Sequence, residues 1–324
     1  MAVERLGVAG MAPEMKQFYD RLLLSVAEKN LVFMNYGEKR PIPARGGKSI
    51  EFRRFEKFVV NEGSYTLTEG TSPLEMLASI NTVAATISQY GAFSKLSDVL
   101  ETQAFDTIIA EYTRKMGIHM AETLDYVVRD VVDASTTIQY ADASTSVGTS
   151  VSGAVGSGMY MDAAEILEAK RTLRRADAKP VVDDKYVLII HPDNEHDLFQ
   201  DADIVGNFQY ARERGPNNPL FRGELGDWMG VRFVVTSNLK VNSSYGMSGA
   251  DVYECVMLGK EAYAVTELSA QQARTIIHPR GSGGHLDPLE QYSTIGWKAA
   301  LAAVILNQNF LVVIMCASSR TPAA

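Results

Sequence analysis

Residues 285–310 read HLDPLEQYSTIGWKAALAAVILNQNF, and this stretch decides the fold. It holds His285, a loop-breaking Asp287-Pro288 pair, Trp297 as one of only two tryptophans, and a long apolar run. On these residues alone it reads as an active-site loop, a membrane span or a scaffold strand. The membrane reading fails on length. Asn307, Gln308 and Asn309 split the apolar residues into AALAAVIL and FLVVIMCAS, each far short of the roughly 20 residues that a spanning helix needs.

The whole chain narrows the choice. Its 324 residues are 46% hydrophobic and 22% charged, which is ordinary globular composition. A net charge of −8 repels phosphate backbones at long range, which disfavours whole-surface nucleic-acid binding and leaves local basic patches. Cys255 and Cys316 sit in the hydrophobic runs YECVML and VVIMCAS without a CxxC partner, the pattern of buried free thiols in a reducing compartment. Glu4, Glu14 and Lys16 interrupt the region where a secretory signal needs a continuous apolar segment, so the expectation is a protein retained in the cytosol.

Residues 13–34 place Phe18, Leu22, Val26 and Leu31 near a helical period after Pro13, which predicts an amphipathic N-terminal arm. Pro41 and Pro43 end it. SIEFRRFEKFVV from Ser49 and INTVAATISQYGAFSKLSD at 80–98 read as strands, with Gly63, Gly70 and Pro73 as turn formers between them. The segment from about 40 to 95 is therefore one long β-hairpin, and a hairpin with so little core needs another surface to pack on. From Asp98 to Asp133, apolar residues recur at Phe105, Ile109, Tyr112, Met116, Met120, Leu124, Val127 and Val131. That spacing predicts a single helix about 50 Å long, a spine for an extended body. Residues 134–158 are rich in Ser, Thr, Ala and Gly and read as loop or weak strand. A compact α/β unit follows: helix 161–178, strand 186–191, a short helix near 193–200 and strands 231–236 and 252–258.

Catalytic motifs are not legible. Gly47-Lys48-Ser49 ends like a phosphate-binding loop, but the required glycine is replaced by Ile42 between two prolines. Gly153, Gly156 and Gly158 lack dinucleotide-binding spacing. His191 and His196 in HPDNEH lie near Asp193 and Glu195, yet Pro192 favours a helix start, with Asp193 or Asn194 as its cap. His119, His278 and His285 have no acid or nucleophile beside them in sequence, and GxSxG is absent. No catalytic, cofactor-binding or metal-ligating residue is assigned.

Charge patterning is more informative. In residues 38–57, Lys39, Arg40, Arg45, Lys48, Arg53, Arg54 and Lys57 stand against Glu38, Glu51 and Glu56, a net of +4. The long helix opposes Asp98, Glu101, Asp106, Glu111, Glu122, Asp125, Asp130 and Asp133 to Arg114, Lys115 and Arg129, a net of −5. A basic arm and an acidic rod in one polypeptide suggest docking between subunits, with solvated faces as the plain alternative.

In order along the chain, an amphipathic arm, a long extended loop, a spine helix, an α/β unit and a C-terminal return in β-strand resemble the major capsid proteins of tailed bacteriophages. Asp287-Pro288-Leu289, Gln291, Gly296-Trp297-Lys298 and Val304-Ile305-Leu306-Asn307 resemble the ending of the podovirus-type coat family. YVLIIHPDNEHDL with Asp201, GVRFVVTSN and VMLGKEAYAVTEL are similar to that family as well.

The resemblance implies an α+β fold, the capsid fold shared by tailed phages, herpesviruses and encapsulins. Residues 1–39 become an N-terminal arm, 40–97 the extended loop and 98–159 the spine helix of a peripheral domain with its following loop. Residues 160–262 become an α/β axial domain, and 263–324 the return to the peripheral domain. Trp297 is then a packing anchor and Asp287-Pro288 a corner. The implied function is a major capsid protein that assembles as pentamers and hexamers into an icosahedral shell around double-stranded DNA, in the host cytoplasm. Its implied partners are further copies of itself, a scaffolding protein, a portal protein, a decoration protein and DNA held by non-specific inner-wall contact, with no membrane. Arg45, Lys48, Arg53, Arg54 and Lys57 are expected to dock near Asp98, Glu101, Asp106 and Glu111 of a neighbour. No Lys–Asn crosslinking pair is identifiable. The rival readings are an encapsulin-like shell around enzyme cargo and a soluble α/β enzyme with a site near His191, His196 and His285.

Overall fold

The structure is a computed structural model. It describes residues 31–40, 49–56, 79–98, 108–141, 158–201, 226–243, 249–267, 273–282 and 291–320, together with 58, 69–70, 155, 203–204, 245–246 and 289. A short helix α1 (Phe33–Tyr36) leads into β1 (Glu38–Lys39), and β2 (Ser49–Phe55) and β3 (Ile80–Thr86) form the hairpin. Then come β4 (Ser88–Ser97), the spine helix α2 (Ile108–Asp133), β5 (Ile138–Tyr140), α3 (Ala163–Arg175), β6 (Tyr186–Ile190) and α4 (Pro192–Leu198). The order closes with β7 (Asp227–Trp228), β8 (Val231–Val235), β9 (Val241–Asn242), β10 (Val252–Leu258), β11 (Tyr263–Glu267), β12 (Arg274–His278), β13 (Tyr292–Ile305) and β14 (Leu311–Cys316).

The stretch that opened the reading is mostly β13. One edge pairs antiparallel with the whole of β4, from Tyr292↔Ser97 to Leu301↔Ser88. The other edge pairs in turn with β12, across Thr294 to Lys298, and with β11, across Leu301 to Ile305. With β1 added parallel to β11, this is a five-stranded sheet. Alternate residues of a strand face opposite sides, and here one side carries Ile295, Trp297, Ala299 and Leu301, all buried. Trp297 packs its ring against His119 of α2, centroids 5.8 Å apart, and its Nε1–H donates to His119 Nδ1 at 3.1 Å.

The second sheet has seven strands, in the order β5-β14-β10-β6-β8-β7 with β9 also on β10. Its centre, β10 and β6, is buried at every position, as a strand covered on both faces must be. Ile166, Ala169 and Leu173 of α3 pack into the same core.

Three expectations shift. The free-standing hairpin is limited to β2 and β3, because Ser88–Ser97 is claimed by β13. On α2 the C-terminal part of the stripe rotates by about one residue: Val128 and Val132 are fully buried, Val127 and Val131 only partly. Four-residue steps overshoot a full turn of 3.6 residues, so the buried face drifts along a long straight helix. In α4 the cap is His191, whose Nδ1 accepts from the Asp193 N–H at 3.2 Å. Asn194 is buried instead, donating to Cys316 Sγ at 3.3 Å and to Ala317 O at 3.2 Å. The expected arm helix at 13–34 lies almost wholly outside the described residues, as do residues 99–107 of the expected spine helix and Asp287-Pro288.

Two buried carboxylates lie on α2. Asp125 accepts the backbone N–H groups of Val32 at 3.0 Å and Met34 at 3.3 Å, and Tyr263 donates its hydroxyl to Phe33 O. These bonds fasten the chain entering α1 to the spine helix. Burial pushes the Asp125 carboxyl up, against the pull of its backbone donors. Asp133 lacks such donors. Arg129 spends its Nε and Nη2 on Asp130, at 3.1 and 2.7 Å, and its Nη1 on Asn238 O at 3.0 Å, leaving Asp133 only a 3.8 Å approach. Glu254 of β10, held by Lys240 at 3.2 Å and Asn242 at 2.5 Å, adds like charge. Burial first, and Glu254 second, push the Asp133 carboxyl up to about 8, although Lys240 and Arg129 pull it down.

Two measurements test this packing. Truncation of a buried tryptophan costs about 3–5 kcal/mol, whereas Trp297→Phe loses mainly one hydrogen bond, about 1 kcal/mol. Urea unfolding should therefore rank Trp297→Ala well below Trp297→Phe, and equal losses would contradict the anchoring role. For Asp133, the folded value lies above the unfolded carboxylate value of about 3.9. The folded chain thus holds an extra proton between about pH 4 and pH 8, and the associated stability falls as pH rises through that window. Asp133→Asn removes this dependence, so the variant should gain on the wild type by about 1–3 kcal/mol between pH 5 and pH 8.5. Parallel stability curves would refute it.

Candidate functional site

The candidate site is the surface through which copies of the chain are expected, from the charge pattern, to meet, and the hairpin is its first part. β2 and β3 pair over seven residues, from Ser49↔Thr86 to Phe55↔Ile80. At the root, Phe52, Ala85 and Ile87 bury against Ala264, Ala300 and Ala302 of the five-stranded sheet, and the Arg40 guanidinium lies 5.6 Å from the centre of the Phe52 ring. Beyond the root the strands have no second layer among the described residues. Phe55 is 72% exposed, Phe58 50% and Ile80 51%, so the outer end presents apolar side chains that a lone subunit leaves in water.

Arg53 and Arg54 are neighbours in a strand and therefore stand on opposite faces. Arg54 shares its face with the buried Phe52 and reaches Glu56 at 3.6 Å, while Arg53 points outward and reaches Glu51 at 3.8 Å. Exposed ion pairs of this kind contribute about 0–1 kcal/mol each, so both arginines are free to exchange partners. On the acidic side, Glu111 pairs with Arg114 at 3.7 Å, and Asp98 sits where β4 ends, its N–H donating to Gln291 O at 3.0 Å. Asp125 and Asp133, both counted in the acidic excess of the helix, are turned inward. Arg45, Lys48, Lys57, Glu101 and Asp106 lie outside the described residues.

Of the histidines of the enzyme reading, His191 and His196 are described, and each meets one neighbouring carboxylate, Asp193 at 3.1 Å and Asp197 at 3.6 Å. His191 caps α4 and lies against Tyr253, ring centroids 5.0 Å apart and planes tilted by 45°. His196 engages Gln200 at 3.3 Å, and His285 lies outside the described residues. Among the described residues no group of three or more His, Cys, Asp or Glu side chains is placed to hold a metal ion. No described helix is long and apolar enough to cross a membrane. Cys255 and Cys316, remote in sequence, meet across β10 and β14 with their sulfurs 3.9 Å apart. Their mutual hydrogen bond and burial push the Cys316 thiol well up, away from the reactive thiolate.

Sequence reasoning missed the exposed face of the five-stranded sheet. Phe93, 67% exposed, stands there opposite Gly296. Its signal is the alternation of β4, which puts Gln89, Gly91, Phe93 and Lys95 on the side away from α2.

Residues 80–313 match a family described as phage capsid protein. No curated protein is detectably similar in sequence. Among solved structures, the asymmetric unit of the cyanophage Pam1 capsid is similar with a TM-score of 0.70 at 14% identity, over 99% of this chain and 100% of that one. The capsid of Ralstonia phage GP4 has a TM-score of 0.67 at 15% identity, over 89% of this chain and 88% of that one. A virus-like particle from Pyrococcus furiosus is less similar, with a TM-score of 0.51 at 12% identity over 93% of this chain and 99% of that one. The double-sided pairing of β13, the spine helix beneath it and the projecting hairpin are thus the parts of a known architecture, and the chain belongs to the phage capsid protein family.

Proposed function

We propose that this capsid protein is the major subunit of an icosahedral shell built from its pentamers and hexamers around double-stranded DNA, with geometry, not catalysis, as its mechanism. The observation that carries the reading is the hairpin: a two-stranded projection with Phe55, Phe58 and Ile80 exposed at its outer end. Isolated hairpins are marginal in water, so a neighbour completes this one. The five-stranded sheet and α2 form the peripheral body, and the seven-stranded sheet with α3 and α4 forms the axial body that meets its copies at symmetry axes. A scaffolding protein, a portal protein and a decoration protein complete the set of partners, assembly takes place in the host cytoplasm, and DNA contacts on the inner wall are local and non-specific. The family match favours this reading over an enzyme-enclosing shell.

Negative-stain electron microscopy with sedimentation velocity on the purified chain tests the assignment. Closed shells, tubes or capsomer rings are expected. A small oligomer that stays small when co-expressed with its scaffolding protein would overturn it. Arg53→Glu with Arg54→Glu tests the basic hairpin. Because exposed ion pairs contribute little to folding, the double variant should melt within a few degrees of wild type yet give far fewer shells. Normal shell yield would remove these arginines from the interface.

A further inference from the structure

We propose that the junction between the spine helix and the β8–β10 region is a proton-operated latch. While Asp133 carries a proton, Arg129 fastens residues 237–239 to α2; once the proton leaves, Arg129 turns to Asp133 and the loop is released. The latch acts within one subunit, so it holds whether or not the shell reading does.

Asp125, Arg129 and Asp133 stand on successive turns of α2. The first two hold the loop after β8: Arg129 Nη1 donates to Asn238 O at 3.0 Å, and Asn238 Nδ2 donates to Asp125 Oδ2 at 3.5 Å. Leu239 beside them is buried. Both ends of the loop are tied to the seven-stranded sheet, the Thr236 N–H to Ile190 O at 2.9 Å and the Glu254 N–H to Lys240 O at 3.1 Å. Only the residues between them are left to Arg129 and Asp125. Asp133 enters the same junction with its side chain 1% exposed, and neither of its oxygens has a hydrogen-bond partner among the described residues. The charged groups that face it are Arg129 and Asp130 of its own helix, Lys240 ahead of β9 and Glu254 of β10.

A buried carboxylate without donors is costly as an anion and less so as a neutral acid. Burial, then the charge of Glu254, keeps the proton on Asp133 up to about pH 8. When it leaves, Lys240 is already engaged with Glu254 at 3.2 Å, whereas Arg129 Nε lies 3.8 Å from Asp133 Oδ2 at the i,i+4 spacing that favours pairing. Arg129 gives up little on its other side, because Asp130 is 62% exposed and exposed ion pairs contribute little. The buried charge therefore wins the arginine. A guanidinium is a rigid planar fork, so turning the Nε–Nη2 edge from Asp130 to Asp133 carries Nη1 away from Asn238 O. The loop then keeps only the 3.5 Å contact with Asp125.

Hydrogen exchange on the full-length chain tests the latch, read by mass spectrometry on a peptide spanning 236–242 and corrected for the intrinsic rate at each pH. From about pH 6.5 to about pH 9, protection of this peptide should fall about tenfold or more in the wild type. It should stay level in Asp133→Asn, whose neutral amide leaves Arg129 on Asn238. Arg129→Gln removes the arm of the latch, so the peptide should be unprotected at both pH values. Glu254→Gln removes the like charge and should move the fall to lower pH. No fall in the wild type, an equal fall in Asp133→Asn, or a fall shared by every peptide of the chain would overturn the proposal. If Asp133→Asn does not fold, Glu254→Gln decides, and an unmoved midpoint overturns the latch.

Discussion

The 14-residue strand β13, hydrogen-bonded along both edges, is the constraint on which the remaining structure depends. β4 follows the hairpin, β11 and β12 follow β10 of the seven-stranded sheet, and β13 accepts all three. Elements from distant parts of the chain are held in one register by a single strand. A slip of one residue would turn Trp297 from α2 to the open face and bring Lys298 into the core. The register is therefore fixed by side-chain polarity as firmly as by the hydrogen bonds. Glycine at 91 and 296 fits the same logic, since a Cβ at either site would collide with the neighbouring strand's backbone.

The two buried carboxylates in the C-terminal half of the spine helix are accommodated differently. Asp125 is satisfied by backbone donors from the segment entering α1 and acts as a fastener whose removal would orphan those N–H groups. Asp133 is packed near another carboxylate with its best cation already engaged, so protonation rather than pairing resolves the conflict. Both are acidic residues on one helix. Only the available donors distinguish a structural bond from a proton-binding site.

Much of this architecture was legible because the periodic signals are strong. The strands 186–190, 252–258 and 292–305 are long apolar runs, and the helical recurrence between residues 108 and 133 is sustained over many turns. The family resemblance lay in the order of these pieces. What escaped reading depends on long-range partners. Periodicity makes 80–98 extended but does not say that β13 takes ten of those residues and the hairpin seven. Counting charges on the helix gave an acidic rod, yet burial of Asp125 and Asp133 depends on segments that pack there from elsewhere in the chain. Likewise, His191 caps α4 because Pro192 fills the first helical position, which leaves the preceding imidazole nearest to the free N–H.

Stability and assembly divide along the two faces of one sheet. The face toward α2 is buried and closes on Trp297. The opposite face keeps Phe93 in water, and the hairpin does the same with Phe55 and Ile80. A monomer gains nothing from exposing either surface, because apolar area in contact with water is unfavourable at about 25 cal/mol per Å². Each apolar surface therefore favours a partner. Because both lie in one chain, covering one of them leaves the other open to a further contact. A contact between unlike surfaces of two copies gives a closed ring when the rotation between them divides a full turn, and an open assembly when it does not.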